Sequence, residues 1–254
     1  MQLRELRPNV WATEVVLDEF DVRGTVIVGE QRVLVWDTLS HPRDMQGIVE
    51  LAGDKPIYVA YSHGDWDHCW GTCGLKTSVI IAHDACGKRF ETGETAAELA
   101  AKQAAEPNLW DDIQLVAPNR LFGHSLTVDL GGVLVELHPL AGHTEDCLVA
   151  FIPQWGILLA GDTVETPLPY LHESSILVLQ EWINKLEGWR RTERVRLVVP
   201  SHGEIGDRRL ITENIRYLTD LSAGKPPEVP DAMTGFYTET HINNMRLLGI
   251  SSRH

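Results

Sequence analysis

Six consecutive residues, His63-Gly64-Asp65-Trp66-Asp67-His68, carry four side chains able to bind a metal ion. Imidazole and carboxylate together are a donor set used for zinc and for other first-row divalent metals. The stretch follows the apolar run Ile57-Tyr58-Val59-Ala60-Tyr61, which places a metal centre at the end of a strand. In an extended segment alternate side chains share one side, so His63, Asp65 and Asp67 are expected to converge while His68 faces away. One such loop can serve two adjacent metals.

Further metal-capable residues stand in the same relation to later apolar runs. His143 follows Val133 to Leu137 through Pro139-Leu140-Ala141-Gly142, Asp162 follows Ile157-Leu158-Leu159-Ala160-Gly161, and His202 follows Leu197-Val198-Val199-Pro200-Ser201. Strand ends along one edge of a sheet are where sites are built. Gly142, Gly161 and Gly203 would let the backbone turn sharply and present these side chains.

The elements that must position them are short. β-Branched runs at Val10 to Val16, Gly24 to Val28, Val33 to Trp36 and Ile57 to Tyr61 read as strands separated by turn residues. The same style returns from Leu126 to Leu137 around Gly131-Gly132, then at Val149 to Ile152, Ile157 to Ala160 and Arg196 to Pro200. Helices are expected at Pro42 to Ala52 and at Glu94 to Ala105, where Glu98 precedes Lys102 by one turn. The period of apolar residues predicts amphipathic helices from Ser175 to Arg191 and from Arg208 to Leu221, and a last helix near Thr238 to Leu248. No linker or tandem repeat interrupts the chain, so residues 1–254 are expected to form one domain.

Lys and Arg number 22 against 36 Asp and Glu, a formal net charge of −14, which repels phosphate backbones and anionic lipid headgroups. Nucleic-acid and membrane roles are therefore not expected, and a small-molecule substrate is. The first residues lack the apolar stretch of a secretory signal, and no window approaches the ~20 apolar residues of a membrane span, so the expected location is cytoplasmic. Oligomeric state leaves no mark in the sequence. Cys69, Cys73, Cys86 and Cys147 are too few for a disulfide scaffold and are not spaced as a zinc finger. Reduced, buried thiols are expected, and Cys69 and Cys147 are not counted as ligands despite lying near them.

In these motifs the chain resembles the metallo-β-lactamase-fold hydrolases, whose signature is His-x-His-x-Asp-His followed by Gly-His-Thr-like, Gly-Asp-Thr-like and Pro-x-His-Gly-like turns. The counterparts are HGDWDH at 63–68, Gly142-His143-Thr144, Gly161-Asp162-Thr163 and Pro200-Ser201-His202-Gly203. Arg23-Gly24-Thr25 and Val35-Trp36-Asp37-Thr38 look like that family's opening hairpin. The resemblance spans nearly the whole chain and implies a four-layer α/β/β/α sandwich. It assigns one metal to His63, Asp65 and His143, the other to Asp67, His68 and His202, and makes Asp162 the bridge. Zinc at two ions per chain is the implied cofactor.

Asp65 departs from the pattern, standing where most members have histidine; the flavodiiron branch carries Glu there in a di-iron site. Three carboxylates and a bridging hydroxide cancel the charge of two divalent ions, leaving the inner site one unit less positive than a histidine version. Bound water should then be less acidic than the pKa of about 7 of strongly activated zinc water, and the harder donors bring iron or manganese into range. The implied activity is hydrolysis of an ester, thioester, lactone, lactam or phosphoester by a metal-held hydroxide, with Asp67 as catalytic residue orienting it. The rivals are di-iron redox chemistry, motivated by Asp65, and a binding or sensing protein that keeps the fold without catalysis.

Tyr170 and His172, in the Pro-stiffened run Pro167-Leu168-Pro169-Tyr170-Leu171-His172, are candidates for substrate contact. Trp66 and Trp70 either wall the pocket or pack beneath the loop. The segment Gly87 to Arg120 is where a lid would lie. His41, His83, His124, His138, His241 and His254 lack the signature context and are expected to be surface or core residues.

Overall fold

Alternation along the strands sorts their side chains onto two faces, and the computed structural model, which describes residues 1–17, 19–172 and 175–251, assembles those strands into two sheets. The first contains Gln2–Arg7 (β1), Val10–Val16 (β2), Asp21–Val28 (β3), Val33–Trp36 (β4), Ile57–Ala60 (β5), Thr77–His83 (β6) and Arg120–Phe122 (β7), adjacent in that order. Pairing is antiparallel from β1 to β4 and parallel from β4 to β7. The second contains Leu126–Asp129 (β8), Leu134–Pro139 (β9), Leu148–Ile152 (β10), Ile157–Gly161 (β11) and Leu197–Pro200 (β12), ordered β12-β11-β10-β9-β8. Only β11 and β12 run parallel there.

Helices occupy both outer faces. Gln46–Ala52 (α1), Trp66–Cys69 (α2), Asp84–Thr92 (α3) and Glu94–Ala105 (α4) belong to the first sheet, and Ile176–Arg191 (α5), Arg209–Ser222 (α6) and Gly235–Leu247 (α7) to the second. In β4, Val33 and Val35 enter a core with Ile48 and Trp70, while Leu34 and Trp36 enter the core between the sheets with Val135 and Leu159. In β11, Leu158 and Ala160 turn to a third core with Leu179, Trp182 and Leu218. Three cores separate four layers, the α/β/β/α sandwich the resemblance implies. Strands buried on both faces carry continuous apolar runs, which is why β4, β10 and β11 were legible in the sequence.

β1, β6, α3 and β7 were not. β1 is an exposed edge strand whose two leucines, Leu3 and Leu6, do not alternate with its polar residues at a period of 2, and β6 passes straight into α3 with no turn residues between them. α3 holds a glycine in its interior, Gly87, where a Cβ would come within 2.5 Å of the Leu121 side chain. The last helix starts at Gly235 rather than Thr238, because the Thr234 hydroxyl accepts from the Tyr237 amide and caps it there. The segment 87–120 forms most of α3, all of α4 and a loop pinned to the first core by Trp110 and Ile113. No helix among the described residues is long and apolar enough to cross a membrane. His254 lies outside the described residues.

Trp182 of α5 links this architecture to the candidate ligands. It is fully buried, its indole N–H donates to the Thr163 carbonyl at 3.0 Å, and a Cβ on Gly142 would meet its ring at 2.3 Å. It thus supports the turns that carry His143 and Asp162. Trp182→Ala should cost about 3–5 kcal/mol of stability, read from chemical denaturation; a loss below ~1 kcal/mol would show that the turns do not depend on it.

Candidate metal centre

β5 delivers His63 to the edge of the first sheet, and the chain then turns into α2 instead of remaining extended. Asp65 occupies the N-cap position of α2, yet its carboxylate makes no capping bond, although capping is the usual use of Asp there. The side chain faces the histidines instead. Because Asp67 and His68 sit on a helical turn, closed by the His68 amide donating to the Asp65 carbonyl at 3.1 Å, His68 swings back toward His63 while Asp67 faces His68 and His202. The expectation that His68 faces away is therefore wrong: its ring centroid lies 4.1 Å from that of His63. The period of 2 ends at residue 65, and a helical period replaces it.

The second sheet supplies the remaining candidates. Asp162 follows β11 directly and His202 follows β12, each beside a glycine of positive φ, Gly161 at 54° and Gly203 at 81°. Gly142, beside His143, has no positive φ; it is required for the close approach of Trp182 and not for a sharp turn.

One carboxylate oxygen organises the cluster. Asp162 Oδ2 lies 3.7 Å from His63 Nε2, 3.3 Å from His68 Nε2, 3.5 Å from His143 Nε2 and 3.2 Å from His202 Nε2. Asp65 Oδ2 lies 3.4 Å from His63 Nε2 and 3.5 Å from His143 Nε2. Asp67 faces His68 and His202, at 3.6 Å each. His63, Asp65 and His143 form one group close enough to hold a cation, and Asp67, His68 and His202 another.

The donor atoms are buried and idle. His63 Nε2, His68 Nε2, His143 Nε2 and Asp162 Oδ1 have no hydrogen-bond partner, and each such group costs roughly 1–3 kcal/mol when left unsatisfied. The opposite ring nitrogens are all engaged: His143 Nδ1 with the Tyr170 carbonyl at 3.0 Å, His202 Nδ1 with the Asp21 carbonyl at 2.6 Å, His68 Nδ1 with Asp37 at 3.1 Å and His63 Nδ1 with the Ser62 hydroxyl at 2.9 Å. A carbonyl accepts only, so His143 and His202 donate from Nδ1, which leaves Nε2 as the nitrogen each ring directs into the cluster for a cation. Cations fit this arrangement. Burial alone would lower His202, but Asp162 beside it pushes it up to about 10; burial likewise opposes the rise of His143 to about 9, which the neighbouring Asp65 and Asp162 carboxylates produce. Burial opposes ionisation of Asp162 as well, yet His202 and His68 hold it well below the usual carboxylate range.

Asp65 divides its two oxygens. Oδ2 faces the histidines, and Oδ1 receives Arg89 Nη2 of α3 at 2.8 Å. Arg89 also binds Glu94 through Nε at 2.7 Å and Asp146 through Nη1 at 3.3 Å, and Asp146 accepts the Gly64 amide at 2.8 Å. A comparable tie runs from the first sheet to the His202 turn: Arg23 Nη1 donates to the carbonyls of Pro200 and Gly203, at 3.0 and 2.8 Å.

His172 reaches the rim, 3.7 Å from Asp65 Oδ2, and Tyr170 and Trp66 line the same cleft of about 270 Å³. Trp70 is buried and packs in the core. Burial pushes the Cys69 and Cys147 thiols up, so neither is a thiolate. His41 stacks on Trp110 and His241 pairs with the Tyr217 hydroxyl, both away from the cluster. Sequence reasoning missed Asp37, Arg89, Glu98 and Glu165. Asp37, at the end of β4, is buried with φ 59° and also accepts the Ser62 amide at 2.7 Å; its place at a strand end was the available signal. Glu165 is buried beside Asp162, and burial together with that carboxylate pushes it up to about 7.

Residues 17–202 match the model of the metallo-beta-lactamase superfamily. A metallo-beta-lactamase type 2 of Bacillus sp. (strain 170) is 31% identical over 228 residues, covering 86% of this chain and 82% of that protein. A protein of the same description from Bacillus cereus is 32% identical over 229 residues, with the same coverage. Among solved structures, a metallo-beta-lactamase from Pontibacter korlensis superposes with TM-score 0.65 at 18% identity, covering 86% of this chain and 99% of that one. The stereoselective inverting sec-alkylsulfatase Pisa1 from Pseudomonas sp. gives TM-score 0.68 at 18% identity over 86% of this chain and 42% of its own. At that identity the two structures share the fold with this chain.

Replacing Asp37 by Ala removes the partner of His68 Nδ1 and of the Ser62 amide together. Affinity for a divalent ion should fall about 10–100-fold, measured by competition with a chromophoric chelator; unchanged affinity would show that Asp37 does not position His68.

Proposed function

The chain belongs to the metallo-β-lactamase superfamily, a family of metal-dependent hydrolases, and from that premise we propose that it cleaves an ester-like bond of a small molecule at a two-metal centre. The observation that carries the proposal is the convergence of four histidine Nε2 atoms within 3.2–3.7 Å of Asp162 Oδ2, with three of them lacking any hydrogen-bond partner. His63, Asp65 and His143 would hold one ion, Asp67, His68 and His202 the other, and Asp162 would touch both. Two zinc ions there would supply a hydroxide nucleophile and a Lewis acid near neutral pH.

The chain's own residues do the rest. Asp67, between His68 and His202, orients the nucleophile and accepts its proton for delivery to the leaving group. His172, at the rim 3.7 Å from Asp65 Oδ2, offers the substrate a ring nitrogen. Tyr170 and Trp66 frame the entering group. The candidate bonds are ester, thioester, lactone, lactam and phosphoester, since no side-chain nucleophile has to match the carbonyl or phosphoryl centre.

Arg89 bears on the odd ligand. Its guanidinium lies against Asp65 Oδ1 and leaves the other oxygen of Asp65 for an ion, while the same cation also serves Glu94 and Asp146. A single compact domain over residues 1–254, acting on a small molecule in the cytoplasm, completes the reading.

Elemental analysis of the purified protein should return two zinc ions per chain; iron with an oxygen-sensitive visible spectrum would revive the redox reading, and manganese would change the metal alone. Asp67→Ala should abolish turnover of ester-like substrates while circular dichroism and metal content persist; activity retained in a folded, metal-loaded variant removes Asp67 from the chemistry. Asp65→His should raise zinc affinity at the first position, and more strongly in an Arg89→Gln background, where no guanidinium faces the new imidazole. Zinc content and affinity equal to the parent in both backgrounds would show that residue 65 is not a ligand.

A further inference from the structure

The cleft has two lobes that meet at Asp65, His143 and His172. The lobe of about 280 Å³ contains Arg89, whose Nε, Nη1 and Nη2 are already committed to Glu94, Asp146 and Asp65. The lobe of about 270 Å³ is walled by Phe20, Trp66, Tyr170 and Phe236, and no lysine or arginine lines it. Its carboxylates are Asp65, Asp67, Glu98, Asp162 and Glu165.

Glu98 differs from the other carboxylates in having no ion pair or hydrogen bond among the described residues. It lies on α4 one turn before Lys102, the spacing that ordinarily makes a helical ion pair. Lys102 instead lays its ammonium over the Trp66 ring, 3.7 Å from the centroid and 5.3 Å from that of Trp110. The Trp66 ring is therefore already occupied by the Lys102 ammonium, and the aromatic surface left open beside the unpaired carboxylate is that of Phe20, Tyr170 and Phe236. An aromatic wall beside an unpaired carboxylate is how proteins recognise alkylammonium ions.

We infer that this lobe binds an ammonium group of the substrate, seated between Glu98 and the aromatic wall, so that the hydrolysed bond is one borne by a cationic amine or quaternary ammonium compound. The choice of substrate rests on the hydrolytic reading above; the binding of the ammonium group does not. Glu98 is then the specificity-determining residue, separate from the groups proposed to hold metal.

The test separates the two. Choline and its uncharged isostere 3,3-dimethylbutan-1-ol are titrated calorimetrically into the zinc-loaded protein and its Glu98→Gln variant, and acetylcholine and 3,3-dimethylbutyl acetate are compared as substrates. Choline should bind about tenfold more tightly than the isostere, a cation–aromatic and charge contribution of the expected size, and the ratio should fall to within about twofold in Glu98→Gln. The same preference should appear in kcat/KM for the ester pair. Equal binding of choline and isostere, no binding of choline, or a preference that survives Glu98→Gln overturns the inference. Preferential choline binding with neither ester hydrolysed upholds the ammonium site and counts against the hydrolytic reading alone.

Discussion

Four imidazole nitrogens converging on one buried carboxylate oxygen is the arrangement the rest of this molecule must sustain. Buried ionisable groups persist only when paired or bound to metal, and here Asp162 draws His63 and His68 from one sheet and His143 and His202 from the other. The cluster therefore sits where the edges of the two sheets meet. Each imidazole is fixed from behind, by the Ser62 hydroxyl, by Asp37, by the Tyr170 carbonyl and by the Asp21 carbonyl. Those contacts fix ring orientation, and at the two carbonyls they fix the tautomer as well, so the site is organised before any ion enters.

The same economy governs charge. An aspartate where the family usually has histidine adds a negative charge to a centre already rich in carboxylates, and Arg89 brings from α3 a positive charge that Asp65 shares with Glu94 and Asp146. Arg89 also reaches Asp146, which holds the Gly64 amide, so one guanidinium steadies the loop at 63–68 against the loop that follows His143. Arg23 has the corresponding place at the other end of the site, joining β3 to the Pro200–Gly203 turn. With these arginines committed, the aromatic lobe keeps its carboxylates without a guanidinium of its own, and its electrostatics follow from that commitment.

Legibility in the sequence tracked burial and local pattern. β4, β10, β11 and α6 announce themselves because apolar runs and helical periods are written in neighbouring residues. β1 does not, since an edge strand exposed on both faces needs no apolar alternation. His68 was misdirected because the extended periodicity was carried past Asp65, where α2 begins; the residues 66–69 are too few to show a helical period.

The sequence by itself determined that His63, Asp65, Asp67, His68, His143, Asp162 and His202 stand at strand ends as a family-like set, because strand runs, glycine turns and ligand types are all local features. Only the tertiary structure decided that Asp162 lies against four histidines, that Asp65 shares its carboxylate with Arg89, and that Glu98 faces the cleft without a partner. The reason is physical. An ion pair between residues 24 positions apart, or a carboxylate aimed across a cleft, depends on how helices and sheets pack, and packing is a sum of many apolar contacts that leaves no mark on the charged residue itself.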